Sequence, residues 1–331
     1  MNHIKIQRVM TPYEYEEDYW YIDGKILTDY LDECINESAD EYLKNLGSFM
    51  GLCPAWSKEL NHKGDVRFVW ELIRRENTTI LPLLLCPDDL DFSCIVIVIE
   101  VDKTKDFVYW GRVGYVTHKN ANFEEEKRSG ILCVEAYSDE ELYRRRMNYT
   151  LPYYETEGNV CWFRDLNWCF VRDEYEAMVQ AFWERTTLEH LQNILKQDNS
   201  RTMTIDECAH LFSELTFDGK AILQEHIDDY SEILLHILAS DMVSEPLMDL
   251  LNRYDEKSLL IDCYISLIEI MWKLGDEAVR NVVDVTILER LSDDKSLWQK
   301  FGRFISMEFK QYINQEVLDF NAMMWGVKAL E

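Results

Sequence analysis

The sequence predicts an α+β domain with a mainly antiparallel sheet, followed by an all-α helical-bundle domain. Three observations carry this. A chain of 331 residues is long for one hydrophobic core and comfortable for two. Its β-branched and aromatic runs, bounded by turn residues, are confined to the first half. From Thr187 onward strand-like runs give way to apolar residues at helical spacing. The expected division is 1–185 and 186–331.

Taken in order, Tyr19 to Ile22 followed by Asp23-Gly24 reads as a short strand and turn. Ile26 to Asn45 reads as a helix, with Leu27, Tyr30, Leu31, Cys34 and Ile35 on one face. Asp65 to Arg75 fits helix or strand. Thr79 to Cys86 is a strand ending in Pro87-Asp88-Asp89, which is turn chemistry. Phe92 to Val101 is a nearly continuous apolar run suited to a central strand, and Phe107 to Thr117 returns as its hairpin partner. Val160 to Phe163 and Trp168 to Val171, joined by Arg164-Asp165-Leu166-Asn167, predict a second hairpin. Asp173 then caps a helix reaching about Trp183.

In the second half the spacing predicts helices over Thr204–Phe217, Ile222–Leu238, Leu259–Leu274, Asp276–Leu291 and Ser296–Ile313. The breaks fall at Asp241–Pro246 and Gly275. Leu259 to Leu274 is apolar nearly all round, as expected of a central bundle helix.

Charge narrows the function classes. The formal net charge is −28, with 21 basic and 35 acidic residues up to Arg185 and 13 and 27 after it, so each half carries −14. Nucleic-acid binding needs a basic surface to neutralise phosphates, and an anionic membrane surface needs the same. A basic protein partner is favoured, because complementary fields raise association rates and select partners. Simple solubility explains the acidity equally well. No export signal or apolar span is evident, and nine cysteines, an odd number, read as reduced core residues. The compartment expected is the cytoplasm.

The motifs of common chemistries are missing: no GxGxxG, Walker A loop, HExxH, GxSxG or paired CxxC occurs. Cys86 and Cys94 share a gap with Cys161 and Cys169, which suggests a four-thiolate site. Metal knuckles use shorter spacings, so buried small hydrophobes are the better reading. Glu207-x-x-His210 is a single copy of a motif that di-iron bundles use twice. Asp88, Asp89 and Asp91 suit a hard cation, and equally a turn after Pro87. Arg144-Arg145-Arg146 follows Asp139-Glu140-Glu141 and reads as helical ion pairing. No catalytic residue, cofactor or metal is expected.

One segment joins charge to interface chemistry. From Tyr13 to Tyr21, carboxylates alternate with large rings, and Tyr and Trp are typical binding anchors. Tyr15, Glu16, Glu17, Asp18, Tyr19 and Trp20, with Asp88, Asp89 and Asp91, form the expected partner-binding set. The same segment also reads as a first strand with its rings in the core and its acids in water.

The stretch Ile80–Cys94, then Val108-Tyr109-Trp110-Gly111-Arg112-Val113-Gly114 and the opening Tyr21–Leu27, resembles immunity proteins encoded beside bacterial polymorphic toxins. The helical half, most clearly from Glu269 through Asp276–Val283 to Leu288-Glu289, resembles an uncharacterised all-helical bacterial family. The first resemblance implies a cytoplasmic inhibitor that binds a cognate toxin, and it brings no shared catalytic residue. The expected partner is therefore a basic toxin, a nuclease for example, whose active site is occluded. A hydrolase using the Asp88–Asp91 carboxylates, a DNA-mimicking inhibitor and a regulatory scaffold stay open as alternatives.

Overall fold

The structure is a computed structural model that describes residues 1–37, 40–92, 94–117, 138, 140, 143, 160–196, 202–318 and 325–331. The chain forms two compact units, Met1–Thr186 and Thr187–Glu331. The first is α+β with antiparallel sheets and the second is helical. Among the described residues no helix is long and apolar enough to cross a membrane. The Arg144-Arg145-Arg146 run lies outside the described residues.

The first unit holds two sheets. Strands β1 (Ile4–Met10), β2 (Glu16–Ile22) and β3 (Lys25–Ile26) form a three-stranded sheet in that order. Asp23 and Gly24 both take positive φ, 51° and 84°, which is the twist a two-residue hairpin turn needs. The second sheet runs in the order β4 (Cys53–Pro54), β5 (Thr79–Leu85), β6 (Val96–Lys103), β7 (Phe107–Val116) and β8 (Val160–Val171), with every pair antiparallel.

Helices α1 (Leu27–Glu37), α2 (Glu41–Leu46) and α3 (Lys63–Arg74) precede β5, and α4 (Arg172–Lys196) follows β8. The expected single helix over Ile26–Asn45 is two helices. Asp40 takes extended backbone and caps the second by accepting from the Tyr42 N–H at 2.8 Å. The ambiguous 65–75 segment is α3.

Strand β8 corrects the expected second hairpin. Trp110 pairs with Trp168 and Arg112 with Asp165, so two residues, Leu166 and Asn167, oppose Gly111. Asn167 has φ 53°. The polar Arg164–Asn167 segment is therefore a bulge that bends one long strand, and turn-forming residues serve either purpose.

The core of this unit is aromatic. Trp20 meets Trp56 edge-on at 5.0 Å and stacks on Phe182 at 5.4 Å. Trp70 meets Trp183 edge-on at 4.8 Å. Such pairs contribute about 0.5–1.5 kcal/mol each beyond their buried area. They join the first sheet, α3 and the first half of α4.

The helical unit comprises α5 (Ile205–Ser213), α6 (Gly219–Tyr230), α7 (Leu235–Ala239), α8 (Glu245–Arg253), α9 (Leu259–Leu274), α10 (Glu277–Val282), α11 (Glu289–Ser292), α12 (Lys295–Phe304) and α13 (Met307–Tyr312). Helix α9 is the central one: Ile261, Cys263, Leu267, Ile268, Ile270 and Met271 are all fully buried. The Glu207 carboxylate closes a capping box with Thr204 at the start of α5.

Gly275 ends α9 as expected. A Cβ there would lie 2.2 Å from the Met271 carbonyl oxygen, a contact no side chain tolerates. The expected break at Asp241–Pro246 is absent. Instead a π turn, Ser240–Ser244, carries α7 into α8. Pro246, which has no N–H to donate to a helical ladder, directly follows this wider turn. Two more π turns, Val283–Leu288 and Ile313–Val317, follow α10 and α13.

Candidate functional site

The expected partner-binding strand divides by face. Alternation puts Asp18, Trp20 and Ile22 on one side of β2, and α4 covers the first two. Trp20 is fully buried against Phe182, and Asp18 accepts from the Arg185 Nη1 at 2.7 Å and from the Arg8 Nη1 at 3.5 Å. On the other side Tyr15 and Tyr19 point at the loop before β4. The Tyr15 hydroxyl donates to the Gly51 carbonyl at 3.0 Å, and the Tyr19 hydroxyl donates to that of Leu52 at 2.8 Å. Burial pushes both phenols well above their ordinary range.

Asp18, Tyr19 and Trp20 are thus core residues rather than contact residues, each at most 4% exposed. Asp91 is also buried. What remains outside is the hairpin tip. Met10 and Tyr13 are the exposed apolar side chains, at 59% and 68%, with Glu14 and Glu16 exposed beside them. Glu17 is half-buried.

Tyr13 stacks along Tyr15 with ring planes 9° apart, and it lies over Gly51. Gly51 has φ 104°, and a Cβ there would meet the Tyr13 Cε2 at 2.5 Å, so glycine is required both by the backbone and by the ring.

The loop under these rings leads to the second half of the predicted set. Cys53 pairs with Leu85, so the 51–53 segment runs beside the turn that follows β5. In that turn Asp88 is exposed and Asp89 half-buried. The Asn61 side chain donates to the Asp89 carbonyl, the Asn61 N–H donates to the Leu90 carbonyl, and the Leu90 N–H donates to the Cys86 carbonyl at 3.1 Å. Leu90 is held at φ 46°, a conformation that costs a leucine roughly 1–2 kcal/mol.

This pinned turn brings Cys86, Asp89 and Cys94 together, with one donor atom of each within 4.8 Å of the others. Cys86 is buried, but Cys94 is exposed, which corrects the expectation that both are core residues. Its thiol is still partly shielded. That shielding, and then contacts with Cys86 and Asp89, push it up to about 11. Burial, and then the two nearby thiols, push the Tyr42 hydroxyl up to about 12. Cys161 does not join this group; its thiol lies against Asp40 instead, at 3.8 Å.

The helical unit holds an open cleft of about 540 Å³ that no sequence motif marked. Asp276, Glu277, Arg280, Asn281, Asp284 and Tyr312 line it. The Tyr312 hydroxyl donates to both Asp284 oxygens, at 3.0 and 3.2 Å. Burial raises the Asp284 carboxyl above its ordinary value, although the Tyr312 contact works the other way. Asp284 lies within the second π turn, and Tyr312 immediately precedes the third. Such turns are frequent at functional sites. The lining residue Asn281 meets the His236 Nε2 at 3.5 Å, and the His236 Nδ1 meets the Thr286 hydroxyl at 2.6 Å.

Residues 205–321 match the model of a domain of unknown function, DUF7674. The match takes in the cleft from Gly275 to Tyr312 and leaves the α+β unit outside it. No curated protein and no solved structure matches the chain. Sequence reasoning missed Asp284 and Tyr312 because 28 residues separate them and each looks ordinary alone. Sequence reasoning did not join Cys86, Asp89 and Cys94 either: the seven-residue gap between the cysteines is too long for a metal knuckle, and Asp89 reads as part of the turn after Pro87.

Proposed function

We propose that this chain is a cytoplasmic immunity protein that binds a basic toxin domain, such as a nuclease, and occludes its active site. The observation that carries the reading is the tip of the β1–β2 hairpin. There an exposed tyrosine and an exposed methionine stand among unburied carboxylates, on a unit whose net charge is −14. An aromatic anchor rimmed by charge is the chemistry of a binding hot spot, and carboxylates beside it suit Arg and Lys on the partner. The resemblance of Ile80–Cys94 and Val108–Gly114 to immunity proteins supports the same reading. The docking set is then Met10, Tyr13, Glu14 and Glu16, with Tyr15 behind them and Asp88 and Asp89 at the neighbouring turn.

The test is capture of partners on the tagged full chain, followed by co-expression of the captured protein with and without it. A basic protein that arrests growth alone, is silenced by the chain, and is released by Tyr13→Ala with Glu16→Lys supports the proposal. A captured toxin whose affinity ignores those two changes rules out the hairpin as the docking face.

A second reading rests on the cleft. A carboxyl with a raised pKa, a phenol bonded to it and the Arg280 guanidinium form the kind of group that binds or turns over a small polar ligand. It places the chemistry in the DUF7674 region rather than at Asp88–Asp91. Ligand-induced thermal shifts that vanish in Asp284→Asn would favour it.

A further inference from the structure

We infer that Cys86, Asp89 and Cys94 form a binding site for a thiophilic divalent cation, zinc by preference, with solvent as its fourth ligand. The inference is independent of the partner-binding proposal and uses none of the hairpin residues.

The donor geometry is the first argument. In a tetrahedral zinc site with metal–sulfur bonds of about 2.3 Å and metal–oxygen bonds of about 2.0 Å, neighbouring donors stand roughly 3.5–3.8 Å apart. The two Sγ atoms and one Asp89 oxygen already lie within 4.8 Å of one another. A small inward movement of side chains completes three corners of the tetrahedron.

Preorganisation is the second argument. Cys86 directly follows β5 and Cys94 stands just before β6, and the Cys86 N–H donates to the Ile95 carbonyl at 3.1 Å, which ties the two ends of the loop together. Asn61 holds the Asp89 and Leu90 carbonyls, so the carboxylate is presented by a fixed turn. The shared sheet end replaces the short knuckle that zinc sites elsewhere build from sequence spacing.

Donor chemistry selects the metal. Two thiolates favour zinc and similar soft or borderline ions over magnesium and calcium, which take oxygen ligands. Binding displaces the thiol protons to solvent, so affinity rises with pH. Three protein donors leave one position open, and the exposure of Cys94 puts that position at the surface.

The experiment is cobalt(II) titration of the reduced full-length protein, followed by displacement with zinc. The expected result is one cobalt per chain, a thiolate-to-cobalt charge-transfer band in the near ultraviolet, strong visible bands of tetrahedral cobalt, and loss of both on adding zinc. Cys94→Ser is the main variant, because its side chain is exposed and its fold is checked by thermal melting. It and Asp89→Asn should each weaken binding by about a hundredfold or more, since even outer-sphere partners of a metal are worth tenfold to a hundredfold. Cys169→Ser should leave the spectrum intact. The inference is overturned if the reduced protein shows no stoichiometric cobalt spectrum. It is equally overturned if the spectrum survives unchanged in a folded Cys94→Ser protein. A Cys86–Cys94 disulfide in air, with no cobalt binding after reduction, would make the pair a redox couple instead.

Discussion

Replacing Asp18 with alanine separates the architecture of the hairpin from its surface. The Asp18 side chain is 6% exposed and receives the Arg185 Nη1 at 2.7 Å, while Arg185 itself is 29% exposed. Deleting one partner of a fully buried ion pair costs about 3–5 kcal/mol, whereas exposed pairs are worth about 0–1 kcal/mol. Arg185 is wet on one side and Arg8 can turn to Glu16, already 3.5 Å away, so the loss should fall between, near 2–3 kcal/mol. In a unit of this size each kcal/mol moves the melting temperature by about 2–4 °C, so Asp18→Ala should melt about 4–12 °C lower. Urea denaturation of Asp18→Ala, Arg185→Met and the double variant gives the coupling, expected above about 1 kcal/mol. If Asp18→Ala changes stability by less than about 0.5 kcal/mol, or the two changes simply add, the buried pair is not what holds β2 to α4. Glu16→Lys, at an exposed position, should leave the melting temperature nearly unchanged. A charge-reversal scan that includes Asp18 would therefore confuse unfolding with lost affinity.

Other perturbations have equally definite signs. Gly51→Ala should cost about 1–3 kcal/mol in chemical denaturation, and Tyr13→Ala should restore only the part due to the ring, because the positive φ remains. Thr204→Ala, which opens the capping box of α5, should cost about 1 kcal/mol, read by thermal melting. Lys300, 7% exposed, donates to the Leu251 carbonyl at 2.5 Å, and Lys300→Met should cost about 1.5–3 kcal/mol through the acceptor left unpaired. The Asp284 carboxyl is raised in the folded protein, so its favourable contribution is complete below the unfolded value of 3.8 and is lost as pH rises through the folded value. Asp284→Asn does not titrate, so its stability relative to the natural protein should climb across that window and level off above it. Denaturation midpoints at a series of pH values check this, and a difference that stays flat with pH refutes it.

Much of the fold was legible because its signals are local. The turn at Asp23-Gly24, the β5–β6–β7 run and the limits of α9 at Leu259 and Leu274 follow from side-chain period and turn chemistry alone. The failures come from distance. Rings and acids lie on both faces of Tyr13–Tyr21, so alternation could not reveal that a helix 150 residues later covers Asp18 and Trp20. Arg164–Asn167 has the composition of a turn, and only pairing with β7 shows that it bulges. The cleft and the Cys86–Asp89–Cys94 group are assembled by folding from residues that no single motif joins. Cys94 was misread because it opens an apolar run, yet the strand itself begins only at Val96.

The π turns have a consequence for how relatives of the helical unit should be aligned. Each closes a turn one residue longer than an α turn, and one residue on an α-helix is about 100° of rotation. Val283–Leu288 therefore acts as an insertion absorbed without a loop. A homologue lacking one residue there would keep an unbroken helix with its apolar stripe intact up to α10. Beyond that turn the side chains would keep their faces, and only those within it, Asp284 among them, would be displaced. A gap of a single position in this stretch, which an alignment treats as trivial, would mark a protein that has the bundle without the Asp284–Tyr312 pair.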